Sequence, residues 1–161
     1  MVIINMTLHL QSQELTKLLY SLSDLLQVQE QEQLCCYDLT SSECRTLSYL
    51  KRYPEHPITM NVLAKRLYLT RSGATRVVDK LSEKGYVIRK IHPGDRRACC
   101  IESTPQGSQL IDQIETEIDE YHQQILERLD PSMRHVVLAA LQSLQSATDQ
   151  VRHKKGSNKY K

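Results

Sequence analysis

The stretch VLAKRLYLTRSGATRVVDKL, residues 62–81, decides the fold. Apolar residues recur at helical spacing on both sides of Tyr68-Leu69, which predicts two helices joined by a tight connection. Thr70 can cap the second helix, which we expect to run from Arg71 to about Lys84, with Gly85 closing it. Small Ala64 would let the two helices approach closely. The residues expected to face inward on the second helix are Val77, Val78 and Leu81.

Polar residues of this second helix share its outward face. The steps of 3, 1 and 4 from position 72 bring hydroxyls and long cations to one side of a helix. Such side chains are suited to base edges and phosphates in a DNA major groove. Small Gly73 and Ala74 are expected to keep the helix thin enough to enter the groove deeply. The candidate contacts are Arg71, Ser72, Thr75, Arg76 and Lys80.

A basic hairpin follows the helix pair. Tyr86–Ile91 and Ala98–Glu102 have the residue types of two strands, and the turn between them contains Pro93 and Gly94. At its tip, a carboxylate beside two guanidiniums can direct one of them into a narrow minor groove. The alternative is an ordinary surface ion pair of little energetic weight. The candidate residues of the hairpin are Arg89 on the first strand and, at the tip, Asp95, Arg96 and Arg97.

Helices are predicted on both sides of this core. A long helix over about residues 7–33 carries leucines at 15, 18, 22 and 25, and it is longer than one small core can cover. Part of its apolar face is therefore expected to meet another subunit. Ser41 or Ser42 can cap a helix ending near Arg52, and Thr59 a short one. Thr104-Pro105 and Asp130-Pro131 begin two more helices, and the basic tail of residues 153–161 is expected to be disordered.

Charge is distributed unevenly along the chain. The 161 residues suggest one compact domain, and the net charge is only +2. Residues 51–97, however, hold twelve basic and four acidic residues, a net +8, which leaves −6 for the remainder. A basic segment between acidic flanks attracts phosphate locally, although a solvated surface without a partner is the alternative. No membrane span or signal peptide is predicted, which favours the cytoplasm.

The ordered set of motifs resembles the MarR family over about residues 38–110. The segments that carry the resemblance are Leu39-Thr40 with Leu47, residues 62–67 and 70–81, Lys84 to Arg89, Asp95-Arg96-Arg97, and Thr104 to Gly107.

This resemblance implies a mainly α, α+β winged helix-turn-helix fold. It implies a DNA-binding lobe over residues 37–103, with residues 1–36 and 104–152 forming a helical dimerisation region. The helix from Arg71 to Lys84 would enter the major groove, and Arg96 or Arg97 the minor groove. The implied function is a homodimeric regulator, a repressor that releases DNA when an effector arrives. Two-fold symmetry predicts a pseudo-palindromic operator with half-sites about 34 Å apart.

Five cysteines suggest what the effector is. Vicinal pairs can bind a thiophilic metal or metalloid, or be oxidised, whereas the commonest role of a free cysteine is that of a small buried hydrophobe. A small organic ligand between the dimerisation and DNA-binding regions is the alternative effector. The spacing of the six histidines identifies no metal site. The preferred sensor residues are Cys35, Cys36 and Cys44, and Cys99 and Cys100, on opposite faces of a strand, are candidate contributors.

Two other classes of function compete with a DNA-binding regulator. A cysteine-dependent enzyme has little support, because no nucleophile motif or Cys–His–acid order is present, and we expect no enzymatic activity. A winged helix used only for protein contacts is disfavoured by the net +8 of residues 51–97.

Overall fold

The computed structural model describes residues 2–54 and 56–157, with side chains at 6–54, 56–94 and 98–152. The chain is mainly helical, as predicted, and carries a small antiparallel sheet. In chain order the elements are α1 (Val2–Cys35), α2 (Ser41–Arg52), β1 (Ile58–Thr59), α3 (Met60–Arg66), α4 (Arg71–Glu83), β2 (Val87–His92), β3 (Asp95–Ser103), α5 (Pro105–Glu127) and α6 (Pro131–Ser157).

Threonine caps begin the three short helices of the lobe. The Oγ1 atoms of Thr59 and Thr70 accept hydrogen bonds from backbone N–H groups three residues on, which confirms both predicted caps. The expected cap of α2 at Ser41 or Ser42 is wrong by one or two residues. Thr40 holds that position, because its hydroxyl and the carboxylate of Glu43 form a reciprocal capping box.

The sheet has the strand order β1-β3-β2. The hairpin of β2 and β3 is confirmed, although β3 begins three residues earlier than expected. Strand β1, which pairs Ile58 with Ile101 and Thr59 with Cys100, was not predicted. Two residues are too few for an alternating pattern to be recognised. This pairing joins the start of α3 to the hairpin, so the helix pair and the wing share one core.

Aliphatic side chains from the helices and the sheet form that core. Leu47, Leu63, Val78, Leu81 and Ile101 are all almost fully buried. The prediction for α4 was wrong for Ala74, which is 1% exposed and packs inward, whereas Val77 is only half-buried. A helix face about 100° wide includes position 74 together with 78 and 81.

Two of the long helices, α1 and α6, are mostly exposed. The chain divides into two compact units, Met1–Asp112 and Gln113–Lys161. Residues 6–28 of α1 are all exposed, and α6 buries none of its described side chains, so neither helix adds much to a core within one chain. α6 continues to Ser157, so the disordered tail was wrongly predicted for residues 153–157. Residues 158–161 lie outside the described part.

Candidate nucleic-acid interface

The exposed face of α4 brings the predicted contact residues together. Arg71, Ser72, Thr75 and Arg76 border one open recess, and Lys80 is exposed one turn further along the helix. The opposite face is fixed in the core by Ala74, Val78 and Leu81. Because that face is buried, the polar face can point only away from the lobe. Ala74 is 1% exposed and lies in the core, so the expectation that its small size lets α4 enter a groove deeply is wrong.

Local hydrogen bonds order the start of this polar face. Thr70 Oγ1 accepts from Gly73 N at 3.1 Å and lies 3.1 Å from Ser72 Oγ. Thr75 Oγ1 donates to the carbonyl oxygen of Arg71 at 2.9 Å. The hydroxyl of Thr75 thus uses its proton within the helix and keeps acceptor capacity toward solvent.

A second recess, of about 370 Å³, joins α4 to the sheet. Arg71 and Thr75 of α4 line it together with Arg89 of β2 and Cys99 of β3. The start of α3 adds Thr59, Met60 and Asn61, which were not predicted as part of the site. Their position follows from the pairing of β1 with β3, and a sequence pattern of two residues cannot reveal that pairing.

Arg89 is held against α4 by an ion pair. Its Nη2 lies 2.5 Å from Oδ1 of Asp79, and both side chains are roughly half exposed. Arg89 was predicted from the sequence as part of the site, whereas Asp79 was not. The sequence could have pointed to Asp79 as a partner for a basic side chain, because it is the only acidic residue between Arg71 and Lys80.

The tip of the wing is described for its backbone only. Asp95 begins β3 and pairs in register with His92, and Gly94 N donates to the Nδ1 atom of His92 at 3.1 Å. The turn is therefore where the sequence predicted it. The side chains of Asp95, Arg96 and Arg97 lie outside the described residues, so their predicted contacts stay predictions.

The cysteines do not form one site. Cys35, Cys36 and Cys99 are exposed, whereas Cys44 and Cys100 are buried. The opposite orientation of Cys99 and Cys100 confirms the strand prediction. Cys44 is buried in the core, and within the described side chains no group of three or more His, Cys, Asp or Glu could hold a metal. The expected sensor role of Cys35, Cys36 and Cys44, with Cys99 and Cys100 as contributors, stays a prediction.

A partly buried cation links the end of α4 to the connection before α2. Lys84, the C-cap of α4, donates from Nζ to the carbonyl oxygen of Asp38, and the same Nζ lies 3.6 Å from Oε2 of Glu43. Asp38 adopts a left-handed backbone conformation with φ of 50°. The connection that follows Cys35 and Cys36 is thus in direct contact with α4.

No described helix has the length and apolar character needed to cross a membrane.

Comparison with known proteins agrees with this architecture. A family model described as "MarR family" matches residues 37–98. A transcriptional regulatory protein for the hcr operon of Thauera aromatica is 32% identical over 87 residues, which cover 54% of this chain and 52% of that protein. The transcriptional repressor YetL of Bacillus subtilis is 31% identical over 75 residues, 47% of this chain and 45% of YetL. The chain thus spans about half the length of these curated relatives.

Solved structures share the fold. The DNA complex of MepR from Staphylococcus aureus superposes with a TM-score of 0.69 at 23% identity, covering 83% of this chain and 96% of MepR. Both named relatives are described as transcriptional regulators or repressors. The family match and the relatives show that residues 37–98 are similar to the MarR family, and the solved structures show that the chain shares their fold.

Proposed function

We propose that this chain is a sequence-specific DNA-binding transcriptional regulator. The observation that carries the proposal is the face of α4, on which Arg71, Ser72, Thr75 and Arg76 line one recess. In this proposal, α4 lies in the major groove, where guanidiniums bind guanine edges and hydroxyls bind several base edges. Arg96 or Arg97 of the wing enters the adjacent minor groove. The similarity in fold to MepR, which has been solved in complex with DNA, supports DNA as the partner.

DNA binding is tested by fluorescence anisotropy with a duplex selected from random sequence. Arg71→Ala and Arg76→Ala are each expected to weaken binding at least about tenfold, as loss of a bidentate base contact does. Arg128→Ala removes an exposed arginine from the connection between α5 and α6 and is the matched control. Affinity for the selected duplex that is unchanged in both α4 variants would contradict the proposal.

The regulator acts as a homodimer in this proposal. Leu15, Leu18, Leu22 and Leu25 recur at helical spacing on α1 and are 41–65% exposed in the single chain. Such a stripe is costly in water and is stabilised when a second copy covers it. Ile125 on α5 and Val136 and Leu141 on α6 are also exposed. A two-fold dimer would read a pseudo-palindromic operator, with half-sites about 34 Å apart.

The oligomeric state is measured by sedimentation equilibrium. The wild-type chain is expected to have twice the monomer mass of 18.6 kDa. Leu18→Glu combined with Leu25→Glu is expected to shift the equilibrium toward monomer, because two carboxylates would be buried in an apolar interface. Gln27→Glu adds one charge to another position of the same helix and serves as control. A monomeric wild-type chain contradicts the dimer.

An effector that releases DNA completes the proposed function, and the regulator is then a repressor, as its relative YetL is named. Cys35 and Cys36 are adjacent, exposed and close in sequence to Asp38, which contacts the C-cap of α4. A thiophilic metal or metalloid, or an oxidant, that changes this connection could therefore disturb α4. The cytoplasmic location stays a prediction, and so does DNA as the partner.

The sensor is tested by anisotropy with reductant, peroxide and arsenite in turn. Release by peroxide or arsenite that is abolished in the variant Cys35→Ser with Cys36→Ser supports thiol sensing by this pair, and Cys99→Ser tests separately whether the other exposed cysteine contributes. Release that persists in the double variant favours the alternative, an organic ligand bound between the dimerisation and DNA-binding regions.

A further inference from the structure

Three arginines surround a depression of about 240 Å³ between α2 and the end of α3. Arg45 and Arg52 come from α2, and Arg66 is the last residue of α3. Ser48 and Tyr49 lie between them, and buried Leu67 also lines the depression. None of these residues lines either recess at the polar face of α4. The depression is therefore separate from the proposed DNA-reading face.

The helical spacing of α2 and an aromatic contact build this depression. Positions 45, 49 and 52 are four and three residues apart, so they share one face of the helix. The guanidinium carbon of Arg66 lies 5.6 Å from the centroid of the Tyr49 ring. Tyr49 in turn packs against Tyr53, with ring centroids 4.9 Å apart. A cation–π contact therefore restrains Arg66, and a second ring supports Tyr49.

The charge of the depression is not neutralised by the described residues. Among the described side chains, no carboxylate forms an ion pair with Arg45, Arg52 or Arg66, whereas Lys51 and Arg89 each have one at 2.5 Å. Guanidiniums that line one depression repel each other, and a bound anion would remove that repulsion. The concentration of unpaired positive charge thus favours an anionic occupant.

We propose that this depression is a phosphate-binding site. A guanidinium donates hydrogen bonds in a planar fork that matches the oxygens of a phosphate. Three guanidiniums around one depression favour an occupant that carries more than one negative charge or has several acceptor oxygens. The Ser48 hydroxyl adds a donor, and the Tyr49 ring offers a face to a planar substituent. Two sources share this chemistry, namely a backbone phosphate of bound DNA and the phosphate of a small molecule.

The site is tested first without DNA, so its failure is distinct from failure of DNA binding. Isothermal titration with phenyl phosphate at constant ionic strength is expected to show saturable binding to the full chain. Arg45→Gln and Arg66→Gln should each weaken it about tenfold, as removal of one charged hydrogen-bond donor does. Arg128→Gln, which removes the same charge outside the depression, should not. Circular dichroism confirms that the variants fold.

A second measurement identifies the source of the phosphate. If the occupant is a phosphate of DNA, a duplex displaces phenyl phosphate from the depression. Arg45→Gln then lowers the magnitude of the slope of log K for DNA against log salt by about 0.9 for each DNA phosphate that the arginine neutralises. If the occupant is a small molecule, the probe stays bound beside the duplex and the slope is unchanged. The proposal is overturned if the Arg45 and Arg66 variants equal the wild type both in affinity for phenyl phosphate and in salt slope.

Discussion

Arg89 of β2 donates from Nη2 to Oδ1 of Asp79 on α4, at 2.5 Å. The pair joins the wing to the helix that carries the proposed DNA contacts. With side chains 40% and 45% exposed, it contributes less than about 1 kcal/mol to stability. The pair fixes the position of a side chain, because the carboxylate of Asp79 holds the guanidinium of Arg89 at the edge of the recess that Arg71 and Thr75 also line.

Separate substitutions of the two partners should therefore have opposite effects on binding to random-sequence DNA. Arg89→Gln removes a cation and should lower the magnitude of the salt slope by about 0.9. Asp79→Asn removes a repulsive carboxylate, so affinity for a random duplex should rise while the ratio of selected to random affinity falls. Anisotropy with both duplexes over a salt series measures these effects. A ratio of selected to random affinity that is unchanged in Asp79→Asn would contradict a positioning role for Asp79.

A second prediction concerns the buried carboxylate of Glu43. This residue is 1% exposed, its Oε2 accepts from Thr40 N at 2.8 Å, and its Oε1 has no hydrogen-bond partner in the described structure. Lys84 is a nearby cation, at 3.6 Å. Lys84→Met should therefore lower the free energy of unfolding by about 2 kcal/mol, less than for a fully buried pair because Lys84 is partly exposed. Urea denaturation measures the change.

A double-mutant cycle isolates this interaction from side-chain packing. Glu43→Gln keeps the shape of the side chain and removes its charge, so adding Lys84→Met to that background should be less costly than in the wild type. Strict additivity of the two substitutions would show that the cation does not stabilise the buried carboxylate.

The winged helix could be predicted from the sequence because its signals are local. The cap at Thr70, the left-handed Gly85 with φ of 77°, and the cap-then-proline pair Thr104-Pro105 each determine one boundary. The structure confirms all of them. β1 was missed because its two residues have their partners some forty positions away, at Cys100 and Ile101. A two-residue segment is too short to show a periodic pattern, so its sequence does not indicate a strand partner at that distance.

The polar face of α4 was predictable for a similar reason. Helical spacing alone placed Arg71, Thr75 and Arg76 together, and the structure confirms their common recess. The depression between α2 and α3 was not predicted, because Arg66 meets Tyr49 across two helices. That contact depends on how the two helices pack against each other, and the spacing of residues within one helix does not reveal it.

A third prediction concerns Gly107 in the first turn of α5. A Cβ atom at this position would lie 2.1 Å from the backbone oxygen of Tyr86, a clash that cannot be relieved by rotating a side chain. Gly107→Ala should therefore force backbone shifts and lower the free energy of unfolding by about 3 kcal/mol. Urea denaturation followed by circular dichroism measures the loss.

Gly73→Ala is the matched control, because it makes the same change in the first turn of another helix. Its Cβ would lie 3.2 Å from Thr70 Oγ1 and 3.6 Å from Leu69 Cβ. Relief from the conformational entropy of glycine, about 0.5–1 kcal/mol, offsets this mild crowding, so stability should change little. Equal losses in the two variants would show that the clash with Tyr86 is not the cause.

The last prediction is a pH dependence at the start of α6. Asp130 Oδ1 accepts from the backbone N of Ser132 at 2.8 Å and from its Oγ at 2.5 Å, and these bonds lower the pKa of Asp130. A carboxylate whose pKa is lower in the folded than in the unfolded chain stabilises the fold above the unfolded value, and this contribution is lost as pH falls through the folded value. NMR titration of the Asp130 carboxyl measures the shift. Ser132→Ala should raise this pKa toward the ordinary aspartate value of about 3.9, because one of the two hydrogen bonds is removed. If the titration is identical in the wild type and in Ser132→Ala, the hydroxyl does not contribute to the cap.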